Sequence, residues 1–122
     1  MTGKPSAAYD YCKIYADVPI GRDSLAELVG SSLESTPDRF GTILTEAITV
    51  DVRKNDDYSA GSHNFVYWPY YLDVSRAESA SDEAMRDAVS RILQVLWGRD
   101  VNAVAACEFE DELPALGGHE RR

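Results

Sequence analysis

From Thr42 to Lys54 the chain alternates apolar and polar residues with a period of two. Leu44, Ile48, Val50 and Val52 share one parity, and Thr45, Thr49, Asp51 and Arg53 share the other. Only an extended strand with one dry and one wet face sorts such a pattern into two surfaces. A strand of this kind needs partners, and the rest of the chain offers them. Tyr9 to Asp17 alternates too, with Cys12, Ile14 and Ala16 opposed to Tyr11, Lys13 and Tyr15. Phe65 to Ser75 reads as a third strand with Trp68, Tyr70, Leu72 and Val74 on one face. Pro69 lacks a ladder N–H, so a bulge or break is expected there. Val101 to Glu108, rich in Ala and Val, reads as the fourth.

Two segments switch to helical spacing. Gly21-Arg22-Asp23 opens the first helix, with Asp23 as its expected N-cap and Leu25, Leu28, Val29 and Leu33 as its stripe; Thr36-Pro37 stops it. Ser79-Ala80-Ser81-Asp82 opens the second. Met85, Ala88, Val89, Ile92, Leu93 and Leu96 recur at helical spacing, and Gly98 closes it.

The order strand, helix, strand, strand, helix, strand predicts an α+β fold, the ferredoxin-like split βαβ sandwich (βαββαβ). Its four-stranded antiparallel sheet would run 4-1-3-2, with two helices on one face. Residues 9–114 form the single domain, 1–8 a disordered lead-in without a secretory h-region, and 115–122 a flexible tail. The face without helices would carry Tyr11, Tyr15, Phe65, Tyr67 and Tyr71.

Charge narrows the partners. The formal net charge is -9. Nucleic-acid binding draws on Lys and Arg against phosphate, so the charge argues against it, and anionic membrane surfaces are disfavoured likewise. No apolar run is long enough for a transmembrane helix. Cys12 and Cys107 fit no metal or redox spacing and read as reduced structural thiols of a cytoplasmic protein, with a disulfide as the alternative.

Local maxima of charge supply the candidate sites. Glu108, Glu110, Asp111 and Glu112 crowd around Phe109. If the last strand continues, Glu108, Glu110 and Glu112 project to one side, as a solvated face, a contact for a basic partner, or a weak metal site completed by Asp73. Asn55, Asp56 and Asp57 begin a long connection suited to turn chemistry or to binding. In the expected topology these two clusters lie at opposite edges, with the acidic string near Asp10 and Asp73. His63 and His119 are expected to face water, and Trp68 and Trp97 to be core or interface residues. No nucleophile elbow, P-loop or zincin motif occurs, so no catalytic residue and no cofactor are assigned.

The runs Val52-Arg53-Lys54-Asn55-Asp56-Asp57-Tyr58, Tyr67-Trp68-Pro69-Tyr70-Tyr71-Leu72-Asp73 and Cys107-Glu108-Phe109-Glu110-Asp111-Glu112-Leu113-Pro114, followed by Gly117-Gly118, carry a resemblance. Across roughly residues 43–118 the chain resembles a family of small bacterial proteins of unassigned function. It is more loosely similar, in size, charge and exposed rings, to small acidic immunity proteins that neutralise toxins by direct binding. Neither likeness implies a catalytic residue.

The expectation is a non-catalytic, acidic protein-binding module. Its contact residues would be Tyr11, Tyr15, Tyr67, Tyr71, Glu108, Glu110, Asp111 and Glu112. The alternatives are a metal-dependent protein or enzyme built on the C-terminal carboxylates with Asp73, Glu108 and Glu110, and a homodimer through the open face.

Overall fold

The computed structural model describes residues 6–121. Alternation and helical spacing become β1 (Tyr11–Asp17), α1 (Arg22–Ser32), β2 (Thr42–Leu44), β3 (Ile48–Lys54), β4 (Tyr70–Arg76), α2 (Asp82–Gly98) and β5 (Asn102–Ala106). All strand pairs are antiparallel, and the sheet runs β2-β3-β4-β1-β5. The fold is α+β, with both helices packed on one face of the sheet through a continuous apolar core.

The sheet has five strands rather than four. The single strand expected over Thr42–Lys54 is two, because Thr45 folds the chain back: its Oγ1 accepts the Ala47 and Ile48 N–H groups at 3.2 and 3.0 Å. The order written for four strands therefore gains β2 outside β3. The reversal also moves Leu44 to the open side, 68 % exposed, while Ile43 takes the core position at 0 %. Phe65–Trp68 is not strand either. Asn64 caps a 3-10 turn over Phe65–Tyr67, and β4 starts only after Pro69, so Trp68 leaves the core face.

In α1 the N-cap is Gly21, with no side-chain cap; Asp23 sits in the first turn and pairs with Arg22 at 2.7 Å. The helix ends earlier than Thr36-Pro37 would require. Gly30 lets the chain return across it, since a Cβ there would lie 2.4 Å from the Ser35 carbonyl oxygen. In α2, Ser81 accepts the Ala84 N–H at 3.0 Å as N-cap. All six residues of its apolar stripe are buried. Each large one contributes about 1.5–3 kcal/mol from leaving water.

Both ends of the described chain, from Ser6 and up to Arg121, are tied down. Ser6 donates its N–H to Asp82 at 3.0 Å, and its carbonyl accepts from Arg76 at 3.0 Å. Of the disordered lead-in expected over 1–8, residues 6–8 are held in place; residues 1–5 lie outside the described residues. Residues 115–121, expected as a loose tail, pack along β5 instead. Ala115, Leu116, Gly117 and Gly118 all take positive φ, forming a left-handed turn that buries both glycines. At Gly118 a Cβ would fall 2.4 Å from the Ala103 carbonyl oxygen. The turn covers an edge strand that would otherwise offer unpaired backbone to another chain. Trp97 Nε1 donates to Ala103 O at 3.0 Å, and His119 Nε2 lies 3.0 Å from Ala105 O.

Candidate partner-binding face

Strand register arranges the helix-free face in cross-strand rows. The first runs Leu44, Thr49, Ser75, Tyr11 from β2 to β1. The second runs Thr42, Asp51, Asp73, Lys13 and on to Ala106 of β5. The third runs Arg53, Tyr71, Tyr15, Val104. The first row is a shallow trough: two small hydroxyl residues lie between Leu44, 68 % exposed, and Tyr11, 45 % exposed.

The second row places two carboxylates, Asp51 and Asp73, directly opposite each other on neighbouring strands. Like charges in that position repel and must be compensated. Thr42 Oγ1 donates to Asp51 at 2.6 Å and Arg53 lies 3.5 Å away. The Tyr11 hydroxyl donates to Asp73. Burial and that hydrogen bond push the Tyr11 phenol above its ordinary range, since both disfavour a phenolate. Lys13 faces Asp73 in register, but its ammonium sits over the Tyr71 ring at 4.2 Å and near the Tyr15 ring at 5.1 Å. The middle of the face therefore alternates rings, carboxylates and cations.

The third row is partly roofed. The connection between β3 and β4 returns over it, and Phe65 packs edge-on against Tyr15 at 5.4 Å and Trp68 at 6.3 Å. Asn55 staples that connection: its side-chain amide donates to the Val66 and Trp68 carbonyls at 2.9 and 2.7 Å, and its carbonyl accepts the Asp57 N–H at 3.0 Å. Asn55 thus serves turn geometry, while Asp56 and Asp57 are exposed. His119 packs edge-on against Phe65 at 5.5 Å and pairs with Glu110. The long connection and the acidic string, expected at opposite edges, are linked through the chain Phe65, His119, Glu110. His119 does not face open water as expected; its ring is held between a carbonyl, a carboxylate and a phenyl ring.

The acidic string is not a one-sided array. β5 stops at Ala106, and Phe109 turns fully inward, stacked on Tyr9 at 4.9 Å with an interplanar angle of 20°. That anchor winds Glu110–Glu112 into a 3-10 turn. Glu110 goes to His119, whereas Glu112 takes the Tyr9 hydroxyl at 2.5 Å and Arg86 of α2 at 2.9 Å. The Tyr9 and Arg86 contacts hold the Glu112 carboxyl below the usual carboxylate range. The hydrogen bond to Glu112 raises Tyr9. Glu108 and Asp111 are exposed. Asp10 belongs to a separate network in which Arg76, its side chain 5 % exposed, bridges Asp10 and Asp82.

The residues offered as metal ligands are dispersed accordingly: Asp73 lies under Tyr11 and Glu110 against His119. Among the described residues no three His, Cys, Asp or Glu side chains converge on one point. An open depression at the start of α1 is lined by Arg22, Arg53, Lys54 and Tyr70. Arg22 is already engaged there with the Phe40 and Arg39 carbonyls at 2.8 and 3.0 Å.

Of the expected contact residues, Tyr11, Tyr15 and Tyr71 share the open face. Tyr67, 43 % exposed, stands on the 3-10 turn above it. The residues missed as a site are Asp51 and its register partner Asp73, seen only as a weak ligand. The parity of Thr49, Asp51 and Arg53 was the available signal. Comparison with protein-family models, curated proteins and solved structures returns no match.

Proposed function

We propose that this chain is a non-catalytic binding module that takes a basic protein segment on its open sheet face. Its architecture in this reading is a ferredoxin-like split βαβ sandwich with β2 as an added edge strand. The observation that carries the proposal is the Asp51–Asp73 pair, set side by side on a solvent-facing sheet of a chain with net charge -9. Thr42, Arg53 and the Tyr11 hydroxyl meet part of that repulsion, and an arriving guanidinium or ammonium group adds charge-assisted hydrogen bonds to the remaining carboxylate lone pairs. Tyr11, Tyr67, Tyr71 and Leu44 supply rigid apolar contact around it, and amphipathic rings suit such a surface. The exposed Glu108 and Asp111 add long-range attraction, which acts on the association rate more than on final affinity. One concrete form of this role is neutralisation of a basic toxin by direct contact in the cytoplasm.

Isothermal titration with a short oligo-arginine peptide tests the reading. Binding that weakens steeply between low and moderate salt, and that drops at least about tenfold in the Asp51→Asn/Asp73→Asn double variant, supports it. Equal binding by the double variant and the parent chain refutes the placement on this face.

A further inference from the structure

Cys12 and Cys107 are the chain's two cysteines, and both are free thiols. They come from opposite ends of the sequence, yet the register brings them together. Lys13 faces Ala106 and Ile14 faces Ala105 across β1 and β5. One step beyond the last paired residues, just past the end of β5, the same parity sets Cys107 opposite Cys12. The spacing of that step follows from the outer edge of β5. The Ala103 and Ala105 carbonyls reach outward to Trp97 and His119, so they do not bond to β1. Ile14–Ala105 and Ala16–Ala103 are therefore the closely spaced, non-hydrogen-bonded pairs of the ladder, and Cys12–Cys107 continues their parity. Such pairs have Cα atoms about 4.5 Å apart, inside the range that a disulfide spans. Each thiol lies near enough to shift the other's pKa.

The thiols differ in access. Cys12 is wholly buried beneath the helices, whereas Cys107 is half-buried at the point where β5 gives way to the acidic turn. We propose that Cys12 and Cys107 form a reversible redox site, in which hydrogen peroxide converts the pair into a cross-strand disulfide joining β1 to the end of β5 and a dithiol reduces it again. Cys107 is the attacking residue. The neighbouring Cys12 thiol and the Phe109 backbone N–H lower its pKa, against opposing effects of burial and of Glu110 and Asp111. The adjacent Cys107, together with burial, raises the Cys12 pKa and favours its thiol form.

The Cys107 thiolate attacks one peroxide oxygen and the O–O bond breaks. Cys107 becomes a sulfenic acid, and the departing hydroxide takes up the proton lost on thiol ionisation, leaving as water. The Cys12 sulfur then displaces the sulfenic oxygen. The S–S bond forms, and the oxygen leaves as a second water carrying the Cys12 proton. The two thiols lose two electrons, and the peroxide takes them up. The new bond closes a loop spanning nearly the whole chain, where a cross-link constrains the unfolded state most.

The test treats the full, folded chain with hydrogen peroxide, counts free thiols after denaturation, and maps cross-linked peptides by mass. The proposal predicts loss of both thiols, a Cys12–Cys107 peptide pair within one chain, and a Tm raised by about 5 °C or more. Dithiothreitol should reverse all three. In Cys12→Ser the sulfenic acid on Cys107 persists and is trapped by dimedone; in Cys107→Ser the Cys12 thiol survives the treatment. Two titratable thiols after peroxide, a disulfide only between chains, or sulfinic acid on Cys107 without a cross-link would each overturn the proposal. The parent-chain measurements decide the matter even if a variant does not fold.

Discussion

Phe109→Ala is the perturbation that bears hardest on how the acidic segment is built. The ring is fully buried, stacks on Tyr9, and lies outside any strand. Hence nothing in the hydrogen-bond ladder compensates for its loss. Removing a buried phenyl side chain costs about 3–5 kcal/mol, combining lost transfer energy with the cavity left behind. A domain of this size holds about 5–15 kcal/mol in total, so the variant folds but with a much reduced margin. At roughly 3–5 °C per kcal/mol for a chain of this length, Tm should fall by about 10–20 °C. Urea unfolding provides the assay. The midpoint should drop by about 2 M with an unchanged m-value, because the surface exposed on unfolding is nearly the same. Phe109→Leu keeps most of the volume and should lose only about 1–1.5 kcal/mol. A Phe109→Ala loss below about 1 kcal/mol would mean that the ring does not anchor the turn, and the divergence of Glu110 from Glu112 would need another cause.

Further predictions concern the same framework. Gly118→Ala forces a Cβ against the Ala103 carbonyl at a φ of 100° and should cost about 2 kcal/mol or more in chemical denaturation; an unchanged midpoint would mean that the left-handed turn is not seated on β5. Arg76→Ala strips the shared cation from Asp10 and Asp82 and should cost about 2–3 kcal/mol by the same measure, with Arg76→Lys recovering only part. Acid should destabilise the fold in a defined window. The Thr42 and Phe40 N–H groups hold the Asp38 carboxyl low, and the Tyr9 hydroxyl with Arg86 does so for Glu112. Folded-state values below the unfolded ones mean stability that is fully present above about pH 4.5. It is lost as pH falls through the lower, folded values. Urea midpoints followed from pH 7 to pH 3 should decline more gently in Asp38→Asn/Glu112→Gln, and parallel declines would contradict the assignment.

What was legible in the sequence follows from how local each signal is. The six-residue stripe of α2 came out in full because one helix face reports on itself. The β2–β3 reversal did not, since Thr45-Glu46-Ala47 contains neither Gly nor Pro, and Leu44 shares the parity of Ile48, Val50 and Val52 with Glu46 as the one break. A hydroxyl closes that turn, and hydroxyls are common everywhere. Phe109 was hidden by its neighbours: a run of carboxylates reads as surface, although a lone ring inside it was the sign that the run must bend inward. Gly117-Gly118 looked like a flexible end because glycine permits freedom, whereas here it is required by close approach to β5. The Asp51–Asp73 pair needed register. Alternation assigns each residue to a face, but only strand order and offset put two carboxylates side by side. Cys12 and Cys107 became neighbours for the same reason.

The most direct test of a cation-accepting sheet face is an amide chemical-shift map of the labelled chain titrated with oligo-arginine. Shifts concentrated at Tyr11, Lys13, Asp51, Tyr71 and Asp73, with the helices silent, are the predicted result. Shifts confined to Glu108–Asp111, or spread evenly over every acidic residue, would contradict the account.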